Sequence, residues 1–343
     1  MDISLFYFLL LGFAILMYVI LDGFDLGIGI LYPWFDSDAE HDHLMRSVSH
    51  VWDGNETWLV FGGVILFGAF PAAYALLLSS LYLPIMLMLI GLIFRGVAFE
   101  YRFKSNSSRT WWSRAFSLGS TLAAACQGFM LGVIVQGVPI DAVASSSLDL
   151  VTPFSLFTAL AVPIGYALLG CTYLVMKSRG AIQHKAAQRG RLFVWLVMLA
   201  MAIVSLLTLL QSEQILQRWL GGWHPLLLLP LPLLAILAAR LLYQDLGRVR
   251  KSHHQALMVL EKHEDRPFWL AVTLFFLAFI GLLISLFPEV VPGQMSYQVA
   301  AAPEASLWFM LPGVLIFVPL ILAYTFWGYR IFAGKVEDFE QGY

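Results

Sequence analysis

Two carboxylates three residues apart, Asp22 and Asp25 in VILDGFDLGIGIL, stand at the end of the first long apolar run, and Asp53 and Glu56 in HVWDGNETW open the next. A guanidinium, Arg95, lies inside the third run, LMLIGLIFRGVAF. An ionised group costs roughly 2.5 to 3.5 kcal/mol at a bilayer centre on insertion scales, so five of them in such surroundings point to a working site. Four carboxylates facing one guanidinium cannot all stay ionised when half-buried, and a carboxyl poised to exchange protons is the expected chemistry. Trp52 beside Asp53 would keep water away. Plainer readings stand next to these. Asp53-Gly-Asn-Glu56 has the spacing of a capping box, with Asp53 at the N-cap and Glu56 at N3. Asp22-Gly23 could be a turn that ends the first helix early and leaves Asp25 solvated. Arg95 could snorkel to the surface instead of pairing with Asp22 or Asp25.

The elements that must carry these residues follow from composition. The 343 residues are 60% hydrophobic and 12% charged, against about 25% charged in an ordinary soluble domain. Helices and closed barrels are the ways to satisfy a backbone in lipid, and unbroken apolar runs of about 20 residues select helices. The fold class expected is all-α, a polytopic membrane protein. Nine spans can be marked, at about 4–32, 57–79, 80–99, 114–137, 153–176, 191–211, 224–243, 267–288 and 306–332. They make a single integral membrane domain over residues 1–343, with the polar cluster in helices 1 to 4 (1–137) and helices 5 to 9 in 153–332. GFAIL at Gly12 and GYALL at Gly165 open similar stretches of helices 1 and 5, which suggests two four-helix bundles plus a ninth helix. No Lys or Arg precedes the first run, so it reads as a retained helix.

Basic residues set the orientation. With the N-terminus outside and the C-terminus cytoplasmic, 18 of the 20 Lys and Arg residues fall inside, from Arg46 to Lys335; Arg218 falls outside and Arg95 within the membrane. Helix 1 then runs inward, so Asp22 and Asp25 lie roughly 25 to 30 Å along it, at the depth of Arg95 and of the start of helix 2. Asp22 and Asp25 share one helix face. The net charge of −2 excludes nucleic acid as a partner, which needs a basic face. Cys126 and Cys171 sit in apolar runs as free thiols. The eight histidines (His41, His43, His50, His184, His224, His253, His254, His263) fall in loops or at span ends. None lies mid-membrane where a haem axial ligand belongs, and no metal spacing is present.

DGFDLGIG at Asp22 to Gly29, HVWDGNETW, and FRGVAFEYR at Phe94 to Arg102, at these intervals, resemble subunit II of the cytochrome bd-type quinol oxidases. AYTFWGY near the C-terminus fits the same family. The resemblance implies a heterodimer in the bacterial cytoplasmic membrane that reduces oxygen to water with quinol electrons and takes protons from the cytoplasm. Haem b and haem d are expected in the partner, subunit I, which also binds the quinol substrate. Some relatives add a small single-helix subunit or hold a structural quinone in subunit II. Asp25, Trp52, Asp53 and Arg95 are the positions expected at the subunit interface and on the proton path. Gly96 and Glu100 depart from the FRPVGFDYR-like form of the family, and the outer loops between helices 4 and 5 and between 6 and 7 are short. A proton-coupled secondary transporter is the competing expectation, because a repeat and intramembrane carboxylates are also transporter features. A purely structural membrane anchor is a third.

Overall fold

A computed structural model describes residues 2–105, 107–138, 147–211, 213–221, 224–251 and 264–336. His253, His254 and His263 lie outside these residues. The first helix, α1 (Ile3–Leu31), is capped by Asp2, whose carboxylate accepts from the Ser4 and Leu5 amides. It runs unbroken through Asp22-Gly23-Phe24-Asp25, so the early turn expected there does not form. An isolated Gly in a long helix costs only about 1 kcal/mol, which close packing over this stretch outweighs.

A short amphipathic helix, α2 (Asp38–Val48), follows, started by a capping box between Ser37 and Glu40. The second expected span is two helices, α3 (Trp52–Ala69) and α4 (Pro71–Ser80). Proline has no N–H to donate and disfavours helical backbone in the residue before it, so the ladder breaks at Phe70. The freed Ala69 carbonyl accepts from the Ala302 amide at 2.8 Å.

Next come α5 (Tyr82–Lys104), α6 (Arg109–Gln136), α7 (Pro153–Lys177) and α8 (Gly180–Gln211). The seventh expected span starts later than predicted, because Pro230 divides α10 (His224–Leu228) from α11 (Pro230–Lys251); α9 (Glu213–Leu220) precedes both. The chain ends with α12 (Arg266–Leu286), a small hairpin of β1 (Glu289–Val291) and β2 (Met295–Ser296), α13 (Tyr297–Ala300) and α14 (Glu304–Ile331).

Seven of the described helices are long and apolar enough to cross a membrane: α1, α5, α6, α7, α8, α12 and α14. The molecule is an all-α polytopic membrane protein. Among the described residues α3 and α11 fall outside those seven, because each carries charged residues at one end.

The core is built on α1, which packs against α3, α6 and α7. Contact is closest where glycines meet. A Cβ on Gly27 would stand 1.9 Å from the Tyr166 carbonyl oxygen, and one on Gly91 would stand 2.6 Å from that of Gly119. Small residues at helix crossings bring backbones together, which is how helices associate where lipid removes the hydrophobic drive.

Candidate functional site

The C-terminal half of α1 is the wall of the site. Asp22 and Asp25 are 0% and 1% exposed, and Arg95 of α5 is 0% exposed. The guanidinium binds on two sides: Nη1 donates to Asp22 Oδ1 at 2.6 Å, and Nη2 pairs with Glu56 of α3. Arg95 therefore does not snorkel. Burying one cation between two anions from different helices fixes α1, α3 and α5 relative to each other, since a lone buried charge would be far costlier.

Asp25 is held separately. Asn55 Nδ2 donates to Asp25 Oδ2 at 2.7 Å and to the Leu21 carbonyl at 3.2 Å, while Asn55 Oδ1 accepts from the Tyr329 hydroxyl at 2.8 Å. Both amide hydrogens and the amide oxygen are used, so the orientation of Asn55 is determined. Asp25 Oδ1 and Asp22 Oδ2 are buried with no hydrogen-bond partner among the described residues.

The helix start also differs from the capping-box reading. Val51 is the N-cap of α3 and no side chain caps it. Asp53 lies within the first turn, exposed, and Glu56 is occupied by Arg95. Sequence reasoning placed five charges at one depth; four of them meet, and Asp53 stands apart from them. With Trp52, Glu56 and Gly96 it lines a groove of about 510 Å³ between α3 and α5. The Trp52 ring stacks on Phe99 at 5.2 Å and lies against Gly96, where a Cβ would approach it to 3.3 Å. Gly96 thus gives the indole its seat.

Five residues of the site carry no charge and stand outside the charge pattern: Asn55, Tyr329, Gln127, Tyr18 and Tyr166. Asn55 sits inside the DGNET motif and Tyr329 closes AYTFWGY, so both were quoted without a role. Gln127 of α6 donates to the Tyr18 hydroxyl at 2.7 Å and accepts from Tyr166 of α7 at 2.6 Å. Tyr18 lies one turn before Asp22 on α1. The polar spacing of Tyr18 to Asp22 was the available signal.

At the same end of the bundle, α2 is latched down. Asp42 pairs with Arg102 and Arg109, and Arg102 Nε donates to Ser113 at 2.8 Å. Burial alone would raise the Asp42 carboxyl, but the hydrogen bonds from Arg109 and Arg102 outweigh it and hold the group below its ordinary range. Glu40 is opposed by burial in the same way and brought down to about 2 by Lys185 and the amides of Asp36 and Ser37. His50, just before α3, packs on Phe332 at 4.1 Å. Desolvation first, and the Lys177 charge second, lower its pKa to about 4, so it is neutral at physiological pH.

The chain is similar along its whole length to known proteins. It is 26% identical to the cytochrome bd-I ubiquinol oxidase subunit 2 of Escherichia coli (strain K12), over 98% of this chain and 96% of that one. It is 25% identical to the cytochrome bd ubiquinol oxidase subunit 2 of Bacillus subtilis (strain 168), over 97% of each. The solved bd oxidase from Geobacillus thermodenitrificans contains a chain of the same fold, with a TM-score of 0.74 at 18% identity over 97% of this chain and 99% of that one. Residues 3–332 match the family described as cytochrome bd terminal oxidase subunit II, and the chain belongs to that family.

Proposed function

We propose that this chain is the subunit II of a quinol-oxidising oxygen reductase of the bacterial cytoplasmic membrane, that it ligates no haem, and that it supplies a proton path and half of the subunit interface. One observation carries the reading: Asp25 is fully buried on a fixed Asn55 amide, beside the Asp22, Arg95 and Glu56 cluster. A structural charge needs a partner, and among the described residues Asp25 has only a neutral one. A carboxyl kept dry beside an ion pair is suited to taking up and releasing a proton.

The topology in this reading has nine crossings, α3 and α11 added to the seven apolar helices, in one membrane domain. The N-terminus is outside and the C-terminus cytoplasmic, as the distribution of Lys and Arg favours. The site then opens at the cytoplasmic end. Protons reach Asp25 and Asp22 and leave through Glu56 and Asp53 into the groove toward the partner.

Among the described residues no histidine is placed to ligate a haem within the membrane. Of the described histidines, His41 and His43 lie within α2 and His50 just before α3, each in another contact: His41 stacks on Tyr32, His43 bonds Ser178 and His50 packs on Phe332. Haem b and haem d therefore belong to the partner, subunit I, where they carry electrons from quinol to oxygen. The partner's seat is the apolar face of α3, α5 and α14, where Val64, Phe67, Ile93, Phe94 and Phe317 are exposed. A small single-helix subunit, membrane lipid or a structural quinone would cover apolar surface that remains.

The test is purification by a tag on this chain from its native membrane, with a visible spectrum and quinol-driven oxygen consumption. Haem bands that travel with a second large hydrophobic chain are the expected result. A colourless, self-sufficient chain that moves a solute across vesicles would instead establish a proton-coupled transporter.

A further inference from the structure

Asn55 and Glu56 are neighbours on α3 and line different cavities. Glu56 faces the groove shared with α5, and Asn55 faces a second cavity, between the start of α3 and the end of α14. This cavity is small and partly open, about 20 Å³, and is lined by His50, Gly54, Asn55, Thr325 and Tyr329 among others. A cavity needs roughly 10 to 15 Å³ to hold a water, and the water needs polar partners. The walls supply them: Thr325 Oγ1 is buried with no partner among the described residues, and the Tyr329 oxygen can accept while its hydrogen is given to Asn55.

We infer that this cleft is the inlet through which a proton reaches Asp25, and that Asn55 links Tyr329 to Asp25 in one hydrogen-bonded row. The inference rests on the proton-path reading above and adds the place of intake. A hydronium in the cleft gives its proton to the Tyr329 oxygen and becomes water. Tyr329 gives its own proton to Asn55 Oδ1 and remains a neutral phenol, while Asn55 Nδ2 gives a proton to Asp25 Oδ2, whose carboxylate becomes a carboxyl. Asn55 is left as the imidic acid and returns to the amide when that proton moves from its oxygen to its nitrogen through the water of the cleft.

Titratable groups ring Asp25. Asp25 faces Asp22 on its own helix, Glu56 on α3, Arg95 on α5, and the phenols of Tyr173 on α7 and Tyr329 on α14. Lys177 of α7 faces His50 at the mouth. His50 is neutral there, so it adds no positive charge to repel an incoming proton.

Three variants of the whole complex decide the matter: Thr325→Val, which removes only the hydroxyl; Tyr329→Phe, which removes only the phenol oxygen; and Asp25→Asn. Quinol-driven oxygen consumption is measured from about pH 6 to about pH 9, with the haem spectrum as the control for assembly. Proton supply limits most where protons are scarce. Tyr329→Phe should therefore slow turnover roughly tenfold at the alkaline end and less at the acid end, with Thr325→Val following the same trend more weakly. A merely structural loss would lower all rates equally. Should Tyr329→Phe fail to assemble, Thr325→Val alone decides. Wild-type rates for Thr325→Val and Tyr329→Phe at every pH, with Asp25→Asn slow, would put the inlet elsewhere and overturn this inference only. Wild-type rates for all three would overturn the proton-path reading beneath it.

Discussion

Glycine behaves in opposite ways in two parts of this molecule. On α1, Gly27 is pressed against the Tyr166 backbone, and Gly170 of α7 lies against Gly27 in return. On α14, Gly313 and Gly328 have nothing within 4 Å of where a Cβ would stand, and Phe309, Ile316 and Trp327 are exposed. The α1, α6 and α7 interior is finished within this chain. The face of α3, α5 and α14 is apolar but unfinished, as expected of a surface that a second membrane subunit completes. The buried charges sit at the seam between the two, with Asp22 and Asp25 on the finished side and Glu56 and Arg95 on helices that border the open groove. The proton path proposed for this chain would cross at that seam.

The sharpest way to break the contrast is Gly27→Ala. A methyl 1.9 Å from a carbonyl oxygen forces α1 and α7 apart, at a cost of about 3 kcal/mol or more. The expected result is loss of the complex from membranes, measured as haem content per membrane protein. Arg95→Leu comes close behind, because it leaves Asp22 buried and unpaired, which typically costs about 3 to 5 kcal/mol. Assembly should fall sharply, and Arg95→Lys should retain more of it; equal yields for Arg95→Leu and wild type would remove the ion pair from the structural argument. On the open face, Gly313→Leu should leave this chain in membranes at its normal level and reduce only the amount of haem that purifies with it. Loss of the chain itself would mean that α14 is packed internally.

The smallest effect concerns His50, which lies where the two regions meet. Its folded-state pKa, about 4, is below the ordinary 6.5, so the unfolded chain binds the proton first. Stability from this group is fully present above about pH 6.5 and is lost as pH falls toward about 4. The thermal midpoint of His50→Gln should consequently drop less than that of wild type between those two values. An equal drop would show that burial of the ring does not govern its protonation.

The helical class, the apolar spans and the clustering of Asp22, Asp25, Glu56 and Arg95 were legible because intramembrane charge is rare and costly. What stayed hidden has physical reasons. The capping box at Asp53 and Glu56 obeyed a local rule that a tertiary ion pair overrode: Arg95, far along the chain, took Glu56. Prolines within the spans mark expected kinks, but Pro71 and Pro230 begin new helices while Pro163, Pro312 and Pro319 sit inside unbroken ones, a difference that continuous hydropathy does not report. Asn55 and Tyr329 carry no charge, and their partnership joins residues 274 apart in sequence, a separation that no local pattern reports. Tyr18, Gln127 and Tyr166 escaped for the same reason.

The most direct measurement is the turnover of Asp25→Asn. Asn keeps the shape of the side chain and an oxygen to accept from Asn55 Nδ2, but it cannot carry a proton. If Asp25 carries protons, the variant assembles with a normal haem spectrum and its quinol-driven oxygen consumption falls roughly a hundredfold, the lower end of what a positioned proton-transfer group contributes. Wild-type oxygen consumption by a fully haem-loaded Asp25→Asn complex, from about pH 6 to about pH 9, would contradict that role and leave the buried cluster a structural clamp.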